Sequence, residues 1–78
     1  MVNLKETLIE IAKAIVDSPD EVTVLETEEN DTVNLTLSVA QYDMGMVIGK
    51  HGKIAKAIRT VMKAAASTCG KKVNVEIK

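Results

Sequence analysis

Apolar residues near the start of the chain recur with helical spacing. They are separated by four, three and four positions, at Leu4, Leu8, Ile11 and Ile15. This spacing places them along one stripe of an amphipathic helix. Asn3 and Glu6 have the separation of a capping box at its start, and Pro19 predicts its end. The chain is therefore expected to begin with a helix that buries one face.

Two segments of alternating apolar and polar residues follow and predict strands. The first covers residues 22–25 and the second covers residues 33–39, where valine or leucine occupies every second position. A polar stretch at residues 28–31 predicts the turn between them. Because the second alternation is unbroken, one face of the sheet should be buried and the other exposed to water.

The second half of the chain predicts two helices and a final strand. A short helix over about residues 42–48 precedes a glycine-containing loop, and a longer helix runs from Lys53 to about Thr68. Gly70 is expected to end it, and residues 73–77 alternate as a strand. At 100° per residue, one side of the long helix is apolar, with Ile54, Ile58, Val61, Met62 and Ala65. Another side is basic, with Lys56, Arg59 and Lys63, and Lys53 at its edge.

The loop between these two helices has the composition of an anion-binding turn. Gly49 and Gly52 allow positive φ angles and a close approach of a ligand, and the first turn of the next helix offers unpaired N–H groups. Lys50, His51 and Lys53 add positive charge at the same place. A bare GxxG is also typical of an ordinary connection between two helices, so the loop alone leaves both interpretations open.

The sequence around the loop resembles a known family. Val47-Ile48-Gly49 followed by Gly52 and Ile54, between two short helices with strands before and after, resembles a KH domain. The longer segment over residues 43–61 resembles the KhpA family of small stand-alone bacterial KH proteins, and the resemblance covers essentially the whole chain. It implies one α+β domain over residues 1–78, a type II KH domain of order αββααβ. Three helices would pack on one face of a three-stranded mixed sheet whose last strand is parallel to the second.

The resemblance also implies single-stranded RNA as the ligand, because the GxxG loop of a KH domain clamps the RNA backbone. The residues expected at the phosphates are Gly49, Lys50, His51 and Gly52. Lys53, Lys56 and Arg59 would extend the positive field, although a solvated helix face is the alternative for this stripe. The groove lining implied by the family comprises Met46, Val47, Ile54 and Ile58, although each of the last three, taken alone, is more typical of a core residue.

Charge is divided along the chain in a way that supports this placement. The net charge of −1 argues against a nucleic-acid ligand, but it hides a division along the chain. Residues 1–43 hold two lysines and ten acidic residues, which gives a net charge of −8. Residues 44–78 hold eight basic residues and one acidic residue, which gives a net charge of +7. Such a split indicates one acidic and one basic surface. Any nucleic acid should therefore contact the C-terminal half.

Other classes of function lack their residues. His51 is the single histidine and Cys69 the single cysteine, so no metal cluster, catalytic triad or internal disulfide is expected. No Walker A sequence is present. We therefore expect neither enzymatic activity nor a cofactor.

Tyr42 is the single aromatic residue, which excludes RNA-binding modes that stack bases on aromatic side chains. No apolar run reaches the roughly 20 residues of a membrane span, and a cytoplasmic location is expected.

A single KH groove contacts few nucleotides, so useful affinity requires a second module. We therefore expect a homodimer or a heterodimer, joined through an apolar part of the long helix at Val61, Met62 and residues 64–66. The alternative for the alanines at 64–66 is that they permit close packing within the monomer. The family resemblance implies a larger partner with its own KH domain, and a role as RNA chaperone or post-transcriptional regulator in cell-wall growth and cell length. The alternative is a protein-interaction adaptor that dimerises through a KH fold and binds little RNA.

Overall fold

Helices and strands follow the order αββααβ in the computed structural model, which describes residues 3–78. The elements are α1 (Leu4–Ile15), β1 (Thr23–Glu29), β2 (Thr32–Ser38), α2 (Met44–Ile48), α3 (Lys53–Thr68) and β3 (Lys72–Ile77). Short 3-10 turns occur at Pro19–Glu21, Gln41–Asp43 and Lys50–Gly52. The predicted order and the α+β class are confirmed, and the bounds of the long helix agree with those predicted.

The sheet has the strand order β1-β2-β3, with β1 antiparallel and β3 parallel to β2. Glu29 pairs with Thr32, so only Asn30 and Asp31 form the turn between β1 and β2. The predicted turn at residues 28–31 was therefore too long. The tight turn is possible because Asn30 adopts a left-handed conformation with φ of 52°, which asparagine tolerates better than most residues.

The core lies between one face of the sheet and the helices. Val33, Leu35 and Leu37 alternate along β2 and are buried, and they join Leu8 of α1 and Met62 of α3 in one cluster. On the opposite sheet face, Thr23 and Leu25 of β1 are exposed and Asn34 and Thr36 of β2 are half-buried, in agreement with the predicted alternation. None of the helices within residues 3–78 is long and apolar enough to cross a membrane.

The start of α1 agrees with the sequence, and its end differs. The N–H of Glu6 donates to Asn3 Oδ1 over 3.1 Å, which caps the helix. The helix ends at Ile15, four residues before Pro19, and that proline instead begins a 3-10 turn. Proline favours the first position of a helical turn because its missing N–H would be unpaired there in any case.

The buried stripe of α3 differs from the one predicted. Its members are spaced three, four and four residues apart, at Ala55, Ile58, Met62 and Ala66. Ile54 and Val61, which were placed on the core side, are 39% and 51% exposed. Alanine at both ends of the true stripe offers little side-chain volume, so α3 can pack closely against its neighbours while Ile54 and Val61 remain outside the core.

The end of α3 is a Schellman motif. Gly70 has φ of 70° and its N–H donates to the Ser67 carbonyl over 3.1 Å, while the Lys71 N–H donates to the Ala66 carbonyl over 3.0 Å. These bonds satisfy two carbonyl groups that the helix leaves unpaired. The prediction that Gly70 ends the helix is confirmed, and β3 can begin two residues later.

A buried carboxylate holds the chain immediately before α2. Asp43 is fully buried and accepts hydrogen bonds from the backbone N–H groups of Asp17, at 3.3 Å, and Ser18, at 3.1 Å. The neighbouring Tyr42 hydroxyl is hydrogen-bonded to Ser18 Oγ and also donates to Glu21. The segment after α1 is thereby fixed to the start of α2, which leads directly into the glycine loop. Sequence patterns did not predict this link, because its partners lie about 25 residues apart.

Candidate nucleic-acid interface

The loop at residues 49–52 turns the chain sharply between α2 and α3. Gly49 closes α2 by donating its N–H to the Gly45 carbonyl over 2.9 Å, and the Gly52 N–H donates to the Gly49 carbonyl over 3.2 Å. The φ angles of Gly49, His51 and Gly52 are 75°, 58° and 73°. Three positive φ values within four residues explain why glycines occupy both ends of the loop.

The two glycines are required for different physical reasons. A Cβ atom on Gly49 would lie 2.2 Å from Ile54 Cγ1 and 2.9 Å from the Ile54 backbone nitrogen, so no side chain fits there. A Cβ atom on Gly52 would meet nothing within 4 Å, and only its φ angle favours glycine. Gly49 therefore lets the loop lie directly against the first turn of α3.

Positive charge at this turn is not neutralised by neighbouring acids. Lys50, His51 and Lys53 are all exposed, and the one ion pair found among residues 3–78 lies elsewhere, between Lys71 and Glu28. The N-cap of α3 is Gly52, which has no side chain to accept from the first-turn N–H groups. Uncapped N–H groups and nearby cations together create a site that favours an anion.

The basic stripe predicted on α3 continues from this turn. Lys56, Arg59 and Lys63 are exposed and separated by three and four residues, so they share one side of the helix. Arg59 Nε donates to the carbonyl oxygen of Val75 over 3.2 Å. The stripe therefore borders β3, and the surface between α3 and this strand carries positive charge.

The predicted apolar lining divides into surface and core residues. Met46 and Ile54 are 40% and 39% exposed and present aliphatic surface beside the loop. Val47 and Ile58 are buried in the hydrophobic cluster at 0% and 3% exposure. These two side chains fill the space between α2, α3 and the sheet, so they support the groove surface from beneath and do not form part of it.

A second apolar surface lies between α1 and α3. It forms a shallow cavity of about 270 Å³, lined by Ile11, Ile15, Ile54, Ala57, Ile58 and Val61. Of the residues expected to join a partner, Val61 is exposed, whereas Met62 and Ala66 are buried. Sequence reasoning missed the contribution of α1 to this surface, although Ile54, Ala57 and Val61 recur at helical spacing and form a second apolar stripe on α3.

Among residues 3–78, no group of three His, Cys, Asp or Glu side chains could hold a metal ion.

Known proteins similar to this chain cover nearly all of it. The model of the KhpA/KhpB KH domain family matches residues 5–77. The RNA-binding protein KhpA of Clostridium acetobutylicum is 57% identical over 74 residues, which is 95% of this chain and 99% of the relative. The protein of the same name from Listeria monocytogenes is 43% identical, over 95% of this chain and 97% of the relative.

Solved structures support the fold independently. A crystal structure of Era in complex with MgGDPNP and nucleotides 1506–1542 of 16S ribosomal RNA matches 95% of this chain with a TM-score of 0.72. The matched part is 28% of the Era chain and is 20% identical. Aquifex aeolicus Era bound to GDP and AlF4− matches with a TM-score of 0.69. At this identity the likeness shows the fold alone.

Proposed function

The chain belongs to the KhpA/KhpB KH domain family, and we propose that it binds single-stranded RNA at the loop formed by residues 49–52. One observation carries the proposal: the loop places uncapped helix N–H groups beside exposed cations that form no ion pair within residues 3–78. The phosphate backbone of RNA matches such a site. The name of the relatives, RNA-binding protein, agrees with this proposal.

The two sides of the site have different tasks in this proposal. Gly49, Lys50, His51 and Gly52 contact phosphates, while Lys53, Lys56 and Arg59 extend the attraction along α3. Met46 and Ile54 present the aliphatic surface against which unpaired bases pack. A duplex would bind more weakly, because stacked pairs cannot enter a groove bordered by a helix and a strand edge.

A charge reversal in the loop tests the proposal. Lys50→Asp combined with His51→Asp puts like charge against phosphate and leaves both glycines in place, so we expect the fold to persist and RNA affinity to collapse. Circular dichroism measures whether the variant is folded, and filter binding with a single-stranded RNA oligomer measures its affinity.

Lys13→Asp is the control, because Lys13 is exposed on α1 and makes the same charge change as Lys50→Asp outside the loop and α3. We expect it to weaken binding much less than Lys50→Asp alone. Unchanged affinity in the folded double variant would refute the proposed site.

We further propose that the protein acts as a dimer, with itself or with a larger KH-domain protein, because one groove offers little contact. The apolar surface formed by half-buried Ile11 and Ile15 and by exposed Ile54, Ala57 and Val61 supports this. A cytoplasmic role as RNA chaperone or post-transcriptional regulator in cell-wall growth and cell length rests on the family resemblance alone. The same surface would also serve a dimerising adaptor that binds little RNA, and the loop variants decide between these functions.

Val61→Asp tests the dimer surface. A charge at this half-exposed position should dissociate the dimer, whereas Leu25→Asp, at a residue 71% exposed on the opposite side of the sheet, should not. Light scattering at micromolar concentration, on the protein alone and mixed with the larger partner, gives the mass. A wild-type monomer under both conditions would contradict the proposal.

A further inference from the structure

Arg59 differs from the other cations on its side of α3 because its head group is held in place. Its Nε donates to the Val75 carbonyl oxygen over 3.2 Å, which joins the helix to a strand 16 residues away. Neither Lys56 nor Lys63 donates a hydrogen bond from its side chain in the described part of the chain. A tethered guanidinium loses less freedom on binding than a mobile lysine does.

The tether fixes the guanidinium at the open edge of the sheet. The Lys72 N–H donates to the Asp31 carbonyl and the Lys78 N–H donates to the Leu37 carbonyl, each over 2.9 Å, so the even-numbered residues of β3 direct their backbone groups toward β2. Backbone groups alternate in direction along a strand, so the carbonyl of the odd-numbered Val75 points away from β2. The bond from Arg59 agrees with this direction. Arg59 also lies seven residues after Gly52, about 10 Å along the helix from the loop.

The tether leaves most of the head group available to a ligand. A guanidinium has five N–H donors, and the bond to Val75 uses the one on Nε. The four donors on the two Nη atoms remain, in a planar fork whose direction the tether restricts. Such a fork pairs best with two acceptors that lie side by side.

We propose that Arg59 recognises a guanine base of the bound RNA, through the N7 and O6 acceptors. The inference rests on the proposed function and adds its base preference. With phosphates at residues 49–52, RNA that follows α3 brings a base to the fork about 10 Å from the loop. Guanine presents two adjacent acceptors, whereas adenine presents an acceptor beside a donor. Arginine bidentate to guanine is the commonest specific contact of this kind.

Base preference is measured with short uridine oligomers that carry one central guanine, adenine or cytosine. Cytosine is included because its N3 and O2 are also neighbouring acceptors. We expect the guanine oligomer to bind wild-type protein roughly 5- to 150-fold more tightly than the adenine oligomer, the range for one bidentate contact. A preference for another base, or equal binding of all three, would overturn the inference.

Two variants separate base recognition from charge and from fold. Arg59→Gln removes the guanidinium and one positive charge, so the guanine preference should fall to less than about two-fold or turn toward adenine, the base that glutamine pairs with. Lys63→Gln removes one positive charge from the same side of α3 and should weaken all oligomers equally. Circular dichroism checks that both variants remain folded. A guanine preference that survives in Arg59→Gln would overturn the inference. Failure of wild-type protein to bind any oligomer would instead refute the proposed function.

Discussion

Replacing each loop glycine by alanine separates steric from conformational constraint. Gly49→Ala and Gly52→Ala add the same atom at positions with nearly equal φ angles, 75° and 73°. At position 49 that atom would lie 2.8 Å from Ile54 Cβ and 2.9 Å from the Ile54 nitrogen, whereas at position 52 it meets nothing within 4 Å. Gly49→Ala should therefore destabilise the domain much more than Gly52→Ala.

The size of each effect follows from the backbone and the contact. At φ of 75° and ψ of 176°, Gly49 occupies a region that is essentially restricted to glycine, which costs alanine about 1–3 kcal/mol. Forcing an atom into filled space costs about 1–3 kcal/mol more. Gly52 lies in the left-handed helical region, where alanine costs about 1–2 kcal/mol. Both variants regain about 0.4–1 kcal/mol because alanine restricts the unfolded chain.

The net expectation is a loss of about 3 kcal/mol for Gly49→Ala and about 1 kcal/mol or less for Gly52→Ala. For a domain of this size, 1 kcal/mol changes the unfolding midpoint by about 4–8 °C, so the two midpoints should differ by roughly 8–16 °C. Urea and thermal unfolding followed by circular dichroism measure both quantities.

A double variant tests the steric part directly. Ile54→Ala removes the Cγ1 atom, the closest contact at 2.2 Å, but leaves Cβ and the backbone nitrogen. It should therefore recover only part of the stability lost in Gly49→Ala, after correction for the single Ile54→Ala variant. Equal midpoints for Gly49→Ala and Gly52→Ala would show that the close approach of the loop to α3 does not constrain residue 49.

Three further predictions follow from charge and burial. If the protein neutralises roughly two to four phosphates, the slope of log K against log salt should be roughly −1.4 to −2.8, and a slope near zero in a salt titration would contradict phosphate contact. Asp43→Ala removes the acceptor for two N–H groups and should lower the free energy of unfolding by about 2–4 kcal/mol. The loss should be smaller in Asp43→Asn, because asparagine keeps one accepting oxygen. Equal stability of both variants and the wild-type protein would contradict this prediction. The hydrogen bond from Lys71 to Glu28 raises the pKa of Lys71 above its usual 10.5, so Glu28→Gln should lower it again in an NMR titration. That pair stabilises the fold below the unfolded-state pKa and ceases to do so as pH rises through the raised value. Because solvent screens this surface pair, Glu28→Gln should lower the unfolding midpoint at pH 7 only slightly, and a Lys71 pKa that is unchanged in Glu28→Gln would contradict the prediction.

Local patterns were sufficient to predict the elements. Alternation over residues 33–39 and the helical spacing after Lys53 depend on which face a residue occupies, and that is set by its neighbours in sequence. Gly70 and Asn3 act on N–H and carbonyl groups within five residues, so their roles as helix stop and cap were predicted and are confirmed. The family resemblance added the parallel pairing of the last strand, which spacing alone does not determine.

The tertiary structure decided how those elements are turned and what they contact. Ile54 and Val61 are as apolar as Ile58, yet only Ile58 enters the core, because the side of α3 that packs against its neighbours is the one that also holds Ala55, Met62 and Ala66.

Contacts distant in sequence were likewise settled only by folding. Asp43 meets two N–H groups about 25 residues earlier, and Arg59 meets a strand carbonyl 16 residues later. The sequence determined where cations and glycines stand along the chain. The fold determined which of those cations is held in a fixed direction, because such a bond requires a partner that sequence periodicity cannot supply.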